Sequence, residues 1–160
     1  MKRVPTLFLK SAVVLMGIPA LALCIFVVPE IGSFMAELYP DHSYLRALVY
    51  VDLYASAIPF YIALYQAFNL LNYIDRNDAF SEQSVTALMK IKQCALVMSG
   101  LYVLGLPLFY LLAERDDAPG IILIGLVLIF ASMVIAVFAA VLEKLLRQAI
   151  DIKSENDLTV

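Results

Sequence analysis

The sequence predicts an all-α fold: an integral membrane bundle of four transmembrane helices with both termini in the cytoplasm. Three observations carry this reading. Of 160 residues, 63% are hydrophobic and only 16% are charged, too little charge to cover a soluble domain of this size. Four runs contain no charge at all: Ser11–Val28, Leu53–Ile74, Gln93–Ala113 and Ala118–Leu142. Each approaches or exceeds the ~20 residues that cross a ~30 Å hydrocarbon core as helix. Finally, the charges sort by side. Four crossings return the chain to its starting side, where Lys2, Arg3, Lys10, Arg76, Lys90, Lys92, Lys144, Arg147 and Lys153 fall, leaving only Arg46 and Arg115 opposite. The positive-inside rule then makes the basic side cytoplasmic. The outer segments carry Glu30, Glu37, Asp41, Glu114, Asp116 and Asp117.

Helix one is expected over about 7–28. The opening MKRVPTLFLK imitates a signal peptide, with Ala20-Leu21-Ala22 as a mock cleavage site. Leu23 stands where a lipoprotein signal needs a small residue before Cys24, and the apolar run continues to Val28, so the helix is read as uncleaved. Cys24 lies toward the outer end and Cys94 toward the inner end, too far apart for a disulfide. Both read as small hydrophobes. In the outer loop, Ile31, Phe34, Met35, Leu38 and Tyr39 keep helical spacing, which either extends helix one or lies on the membrane surface.

Helix two, about 46–74, has two faces at 100° per residue. Asp52, Ser56, Pro59, Ala63 and Gln66 form a small and polar seam; Tyr50, Tyr54, Tyr61, Tyr65 and Phe68 form an aromatic face. Polar groups in hydrocarbon need partners, so the seam is expected against other helices or a water-filled cleft. The aromatic face meets lipid or a second copy of the chain, although the Tyr61 hydroxyl argues for burial against protein. Asp52 has two readings. One is a proton or cation site whose path includes Ser56 and Gln66. The other, the default, is a local cap or a pair with Arg46 at interfacial depth.

A cytoplasmic loop, 75–84, follows. Asp75-Arg76-Asn77-Asp78 breaks helix two, and Phe80-Ser81-Glu82 reads as a new start. Ser81 suits the N-cap, Glu82 the positive end of the dipole, and Phe80 a staple onto Val85. Helix three spans about 85–113. The short turn Glu114–Asp117 forces helices three and four into a tight antiparallel hairpin. Helix four, about 118–148, carries Ser132, Ala136 and Ala140 as a packing stripe. A polar cytoplasmic tail occupies 149–160. Pro19, Pro59 and Pro107 interrupt three spans and are read as shape.

The usual signs of chemistry are missing. His42 is the single histidine, and a metal site needs more ligands. Asp116 and Asp117 are adjacent in a turn, no nucleophile has a base beside it, and there is no phosphate-cradling loop. No catalytic, metal or cofactor-binding residue is assigned, and no enzyme is expected. The inner basic residues orient the chain in the lipid bilayer and form no patch for direct nucleic-acid binding.

The segments ALYQAFNLLNYIDRNDAFSEQSVTALMKIKQCA (Ala63–Ala95), DDAPG (Asp116–Gly120) and FAAVLEKLLRQAIDIKSENDLTV (Phe138–Val160) resemble the bacterial membrane family catalogued as domain of unknown function 2975. The resemblance implies four membrane helices in a bacterial cell membrane of Gram-positive type. It also implies a genomic setting, since genes of this family often stand beside one for a small helix-turn-helix regulator. It brings no activity. The family motifs fall largely on cytoplasmic segments, Ala79–Ser84 and Asp151–Val160, which favours a docking face over a transport path. The candidate docking residues are Phe80, Ser81 and Glu82 in the loop and Ser154, Glu155, Asn156, Asp157 and Leu158 in the tail. The expected function is therefore a non-enzymatic membrane anchor or regulator that binds a cytoplasmic partner. The alternative is a transporter or channel subunit using Asp52, Ser56 and Gln66. A homo-oligomer is compatible with either.

Overall fold

The computed structural model describes residues 3–117 and 119–158. Met1, Lys2, Ala118 and the tail residues Thr159 and Val160 lie outside the described residues, as do the side chains of Arg3, Val4 and Asp116. Every regular element among the described residues is helical: α1 (Arg3–Ala22), a π-helical turn (Leu23–Val27), α2 (Val28–Leu38), α3 (Tyr44–Asp75), α4 (Glu82–Asp116) and α5 (Gly120–Leu158). Four stretches are long and apolar enough to cross a membrane: Pro5–Leu38, Tyr44–Asp75, Glu82–Arg115 and Gly120–Leu158.

The first rod runs past residue 28 to Leu38, so of the two readings of the Ile31–Tyr39 segment the extension of helix one holds. Pro29 does not stop it, because proline is acceptable in the first turn of a helix. The π turn absorbs the misfit: the Val28 N–H reaches back five residues to the Leu23 carbonyl. Most of the expected outer loop is thus α2. It buries Val28, Gly32 and Met35, spaced four and three residues apart as one helical face requires. The chain leaves the helix at Tyr39 and turns at Pro40–Asp41 into α3.

Helix α3 ends where the sequence places a breaker. Asn77 adopts φ 59°, the left-handed conformation that asparagine tolerates after a helix. This lets the Asp78 N–H reach the Tyr73 carbonyl at 2.8 Å. Ser81 then caps α4 as expected, its Oγ accepting from the Ser84 N–H at 3.3 Å. Phe80 keeps 55% of its surface exposed, so the ring is presented to the surroundings more than it is stapled. Asp117, with φ 52°, closes α4.

The antiparallel rods bring the beginning of α1, the end of α3, the beginning of α4 and the end of α5 to one end of the bundle, here the terminal end. The α4–α5 turn marks the opposite, hairpin end. A compact apolar core sits at the hairpin end, made of Met35 from α2, Leu45 and Val49 from α3, and Phe109 and Leu112 from α4. Helices α4 and α5 pack through small residues. A Cβ on Gly125 would lie 3.0 Å from the Phe109 ring, and Ser132, Ala136 and Ala139 are buried with it. Ala139, not the expected Ala140, completes the stripe. Strict four-residue steps drift about 40° around a helix each time, so a contact line alternates steps of four and three.

Helix α5 also outruns its expected end near 148. It continues unbroken through Asp151–Leu158, every one of those residues exposed. The polar tail is therefore helix as far as Leu158.

Candidate functional site

The polar seam of α3 divides in two. Asp52 lies at the α3–α4 contact, lodged against the bare backbone of Gly105. A Cβ on Gly105 would stand 2.9 Å from the Asp52 Cγ. Ser56 is buried one turn further along, but its Oγ donates to the Leu53 carbonyl of its own helix at 2.8 Å. Gln66 is elsewhere. It is fourteen residues from Asp52, about 21 Å along the axis. The structure does not bring the three together. Nor does Arg46 pair with Asp52: its guanidinium lies over the Tyr50 ring at 5.5 Å. Among the described residues no donor hydrogen-bonds the Asp52 carboxylate.

Gln66 lines an open groove of about 410 Å³ at the terminal end, between α3 and α4. Tyr65, Asn69 and Tyr73 accompany it on α3, while Gln83, Thr86 and Lys90 line it from α4, with Glu82 beside them. The α4 wall was open to sequence reasoning. Gln83, Thr86 and Lys90 recur at three- and four-residue steps, a polar stripe beside the apolar positions Val85, Leu88 and Ile91. The loop and tail candidates border this same end. Ser81 is engaged in its cap, whereas Phe80 and Ser154, Glu155, Asn156, Asp157 and Leu158 are all exposed.

Three residues of the aromatic face of α3 are turned to the first rod. Tyr50, Tyr54 and Tyr61 donate to the carbonyls of Pro29 (3.3 Å), Cys24 (3.0 Å) and Gly17 (2.9 Å). As the donor moves down α3 the acceptor moves up the first rod, as antiparallel neighbours require. The middle bond has a particular cause. In the π register the Cys24 carbonyl faces position 29, where Pro29 has no N–H to offer. The Tyr54 hydroxyl supplies the missing donor. Tyr65, by contrast, points outward and is 63% exposed.

Ion pairs close the terminal end. Lys10 of α1 meets Asp75 of α3 at 2.7 Å, and Lys92 of α4 meets Glu143 of α5 at 3.1 Å, with Arg147 joining at 3.4 Å. Cys24 and Cys94 are both free. Among the described residues no group of three or more His, Cys, Asp or Glu side chains is arranged to hold a metal ion.

The profile of the family described as "Protein of unknown function (DUF2975)" matches residues 30–160, from the residue after Pro29 to Val160. The chain belongs to the DUF2975 family. A relative is 66% identical over 160 residues, covering the whole of both chains: the uncharacterized membrane protein YoaS of Bacillus subtilis (strain 168). No solved structure matches. Like that bacterial relative, this DUF2975 protein is a membrane protein, and it has four candidate spans. The matched region covers nearly all of α2 and the whole of α3, α4 and α5. It therefore includes the core, the Asp52–Gly105 contact, the groove and the extended tail.

Proposed function

We propose that this protein is a non-enzymatic membrane anchor or regulator that holds a soluble partner at its terminal end, with that end in the cytoplasm. The observation that carries the reading is the length of α5. From Glu143 to Leu158 it continues past the uncharged run by roughly 24 Å, as a largely exposed polar helix at the end that also carries the groove and Phe80. The hairpin end has short connections over a packed core and a smaller pocket along α2, lined by Pro29, Glu30, Ser33, Phe34 and Glu37. The basic residues Lys10, Arg76, Lys90, Lys92, Lys144, Arg147 and Lys153 cluster at the terminal end, which supports its cytoplasmic placement. The partner we propose is a helix-turn-helix regulator of the kind encoded beside genes of this family. The acidic tip, with Asp151, Glu155 and Asp157, complements the basic face such a regulator turns to DNA.

Truncation after Ile150 tests this. It is expected to abolish co-purification with the adjacent regulator while leaving membrane insertion intact. Capture at the full-length level by the truncated chain overturns the reading.

Transport is the second reading, and Asp52 is the observation in its favour: a carboxylate within a span, without a donor among the described residues. A path would have to join Asp52 to the groove at Gln66, about 21 Å away, and pass the core of Met35, Val49 and Phe109 at the hairpin end. Under this reading Asp52→Asn abolishes a transport or resistance phenotype and the truncation is tolerated. Under the docking reading the two results are reversed.

A further inference from the structure

We infer that the protruding part of α5 is a parallel coiled-coil seam and that its occupant is the α5 of a second copy of this chain. The inference is independent of the soluble partner proposed above. Leu142, Leu145, Ala149, Ile152 and Asn156 follow one another at steps of three, four, three and four residues, the spacing of the a and d positions of a heptad. They run along α5 about 130° around the axis from Ser132, Ala136 and Ala139, the residues buried toward α4. The seam therefore faces away from the rest of the bundle. Leu142, Leu145 and Ile152 are 51%, 56% and 60% exposed, Asn156 is exposed and Ala149 is half-buried.

Inside the bilayer such exposure needs no explanation, because lipid covers it. The uncharged run ends at Leu142, and Ile152 stands about 15 Å further along the helix. The headgroup layer beyond the hydrocarbon is only about 5–8 Å deep on each side, so Ile152 clears it. Nor can this segment fold down from the span to lie on the headgroups. Helix α5 is unbroken from Gly120 to Leu158 and contains no proline, and sharp kinks need such a cause.

A second copy fits on three counts. Two copies inserted the same way present their α5 helices parallel, as this seam requires. The small and polar a positions, Ala149 and Asn156, suit two strands at close range, although Leu142 at a with Ile152 at d is a pattern of larger bundles. Ala149 at a is small enough to let two backbones approach, between the larger Leu145 and Ile152 at d. Asn156 at the next a is the polar residue that sets register in paired helices. The flanks are compatible, since Gln148 at g faces Lys153 at e of the second copy and no like charges oppose each other there. The seam of 142–156 is short, about 21 Å, but two chains confined to one bilayer meet at a high effective concentration. Upstream, Phe138 and Ile135, both more than half exposed, carry the same d and a spacing into the membrane.

Cysteine scanning reads the interface directly. The full chain carrying Cys24→Ala and Cys94→Ala is placed in membranes that lack any helix-turn-helix partner, and single cysteines are introduced along 144–156 and oxidised. Disulfide-linked dimers are expected several-fold more abundant at positions 145, 149, 152 and 156 than at 147, 151 and 154. In parallel, the unaltered chain in lipid nanodiscs is expected to be dimeric by mass, and the double variant Ala149→Glu, Ile152→Glu monomeric with unchanged insertion. Crosslinking that is flat or peaks at 147, 151 and 154 overturns the seam. A monomeric unaltered chain overturns the second copy as its occupant.

Discussion

The first rod and α4 are both apolar helices joined to α3, yet they are held by different physics. In its most apolar stretch α4 buries 28% of its residues and the first rod only 6%. Helix α4 is locked sterically: Gly105 admits Asp52, Phe109 fills the space over Gly125, and Ser132, Ala136 and Ala139 bring α5 close. The first rod is tethered over most of its length, by three tyrosine hydroxyls and the Lys10–Asp75 pair, and packs closely only in α2, where Gly32 admits the Tyr50 ring and Met35 enters the core. In lipid there is no hydrophobic drive to press helices together, so close packing and hydrogen bonds must each do that work. A steric lock fails when one atom is added. A tether fails in increments, one donor at a time.

The largest effect is expected where a lock is broken. Gly105→Ala places a Cβ against the Asp52 carboxylate and should cost about 2–3 kcal/mol. Adding Asp52→Ala should restore most of that loss, which unfolding of the purified protein in mild detergent measures as a double-mutant cycle. If the double variant is as unstable as the sum of the single ones, the contact is not the cause.

Next comes the tether. Replacing Tyr50, Tyr54 and Tyr61 together by phenylalanine keeps the rings and removes the donors, at about 0.6 kcal/mol each and about 2 kcal/mol in all. Amide exchange should then rise across the first rod, most around the Cys24 carbonyl, and stay unchanged in α4 and α5. Equal acceleration throughout would erase the distinction between tether and lock. Smallest is the cap. Ser81→Ala should cost about 1 kcal/mol and speed exchange in the first turn of α4 alone, leaving both attachments intact.

Much of this architecture was legible in the sequence, because uncharged length and capping chemistry are local. The spans, the break at Asn77 and the cap at Ser81 could all be read residue by residue. Three things could not. A helical wheel gives the angle of a residue but not what stands beside it: Asp52 and Gln66 share a face about 21 Å apart, and only the packing puts one against Gly105 and the other in an open groove. The wheel is also silent on whether a face meets lipid or protein, which is why the tyrosines' attachment to the first rod was open. Hydropathy, finally, tracks the membrane and not the helix. The uncharged run stops at Val28 although the first rod continues through a π turn to Leu38, and the polar segment Asp151–Leu158 read as a tail beyond the helix. Between Gly125 and Leu158, however, there is neither glycine nor proline to interrupt the helix.

That uninterrupted helix has a mechanical consequence. With 39 residues, α5 is a rod of about 58 Å whose foot is set in the bilayer and whose tip stands clear of it. Helices answer a change in bilayer thickness by tilting, and a stiff rod magnifies the tilt with distance from its pivot. A lean of about 10° at the foot would carry Leu158 sideways by about 10 Å. A change in bilayer thickness is thereby converted into sideways displacement of the α5 tip.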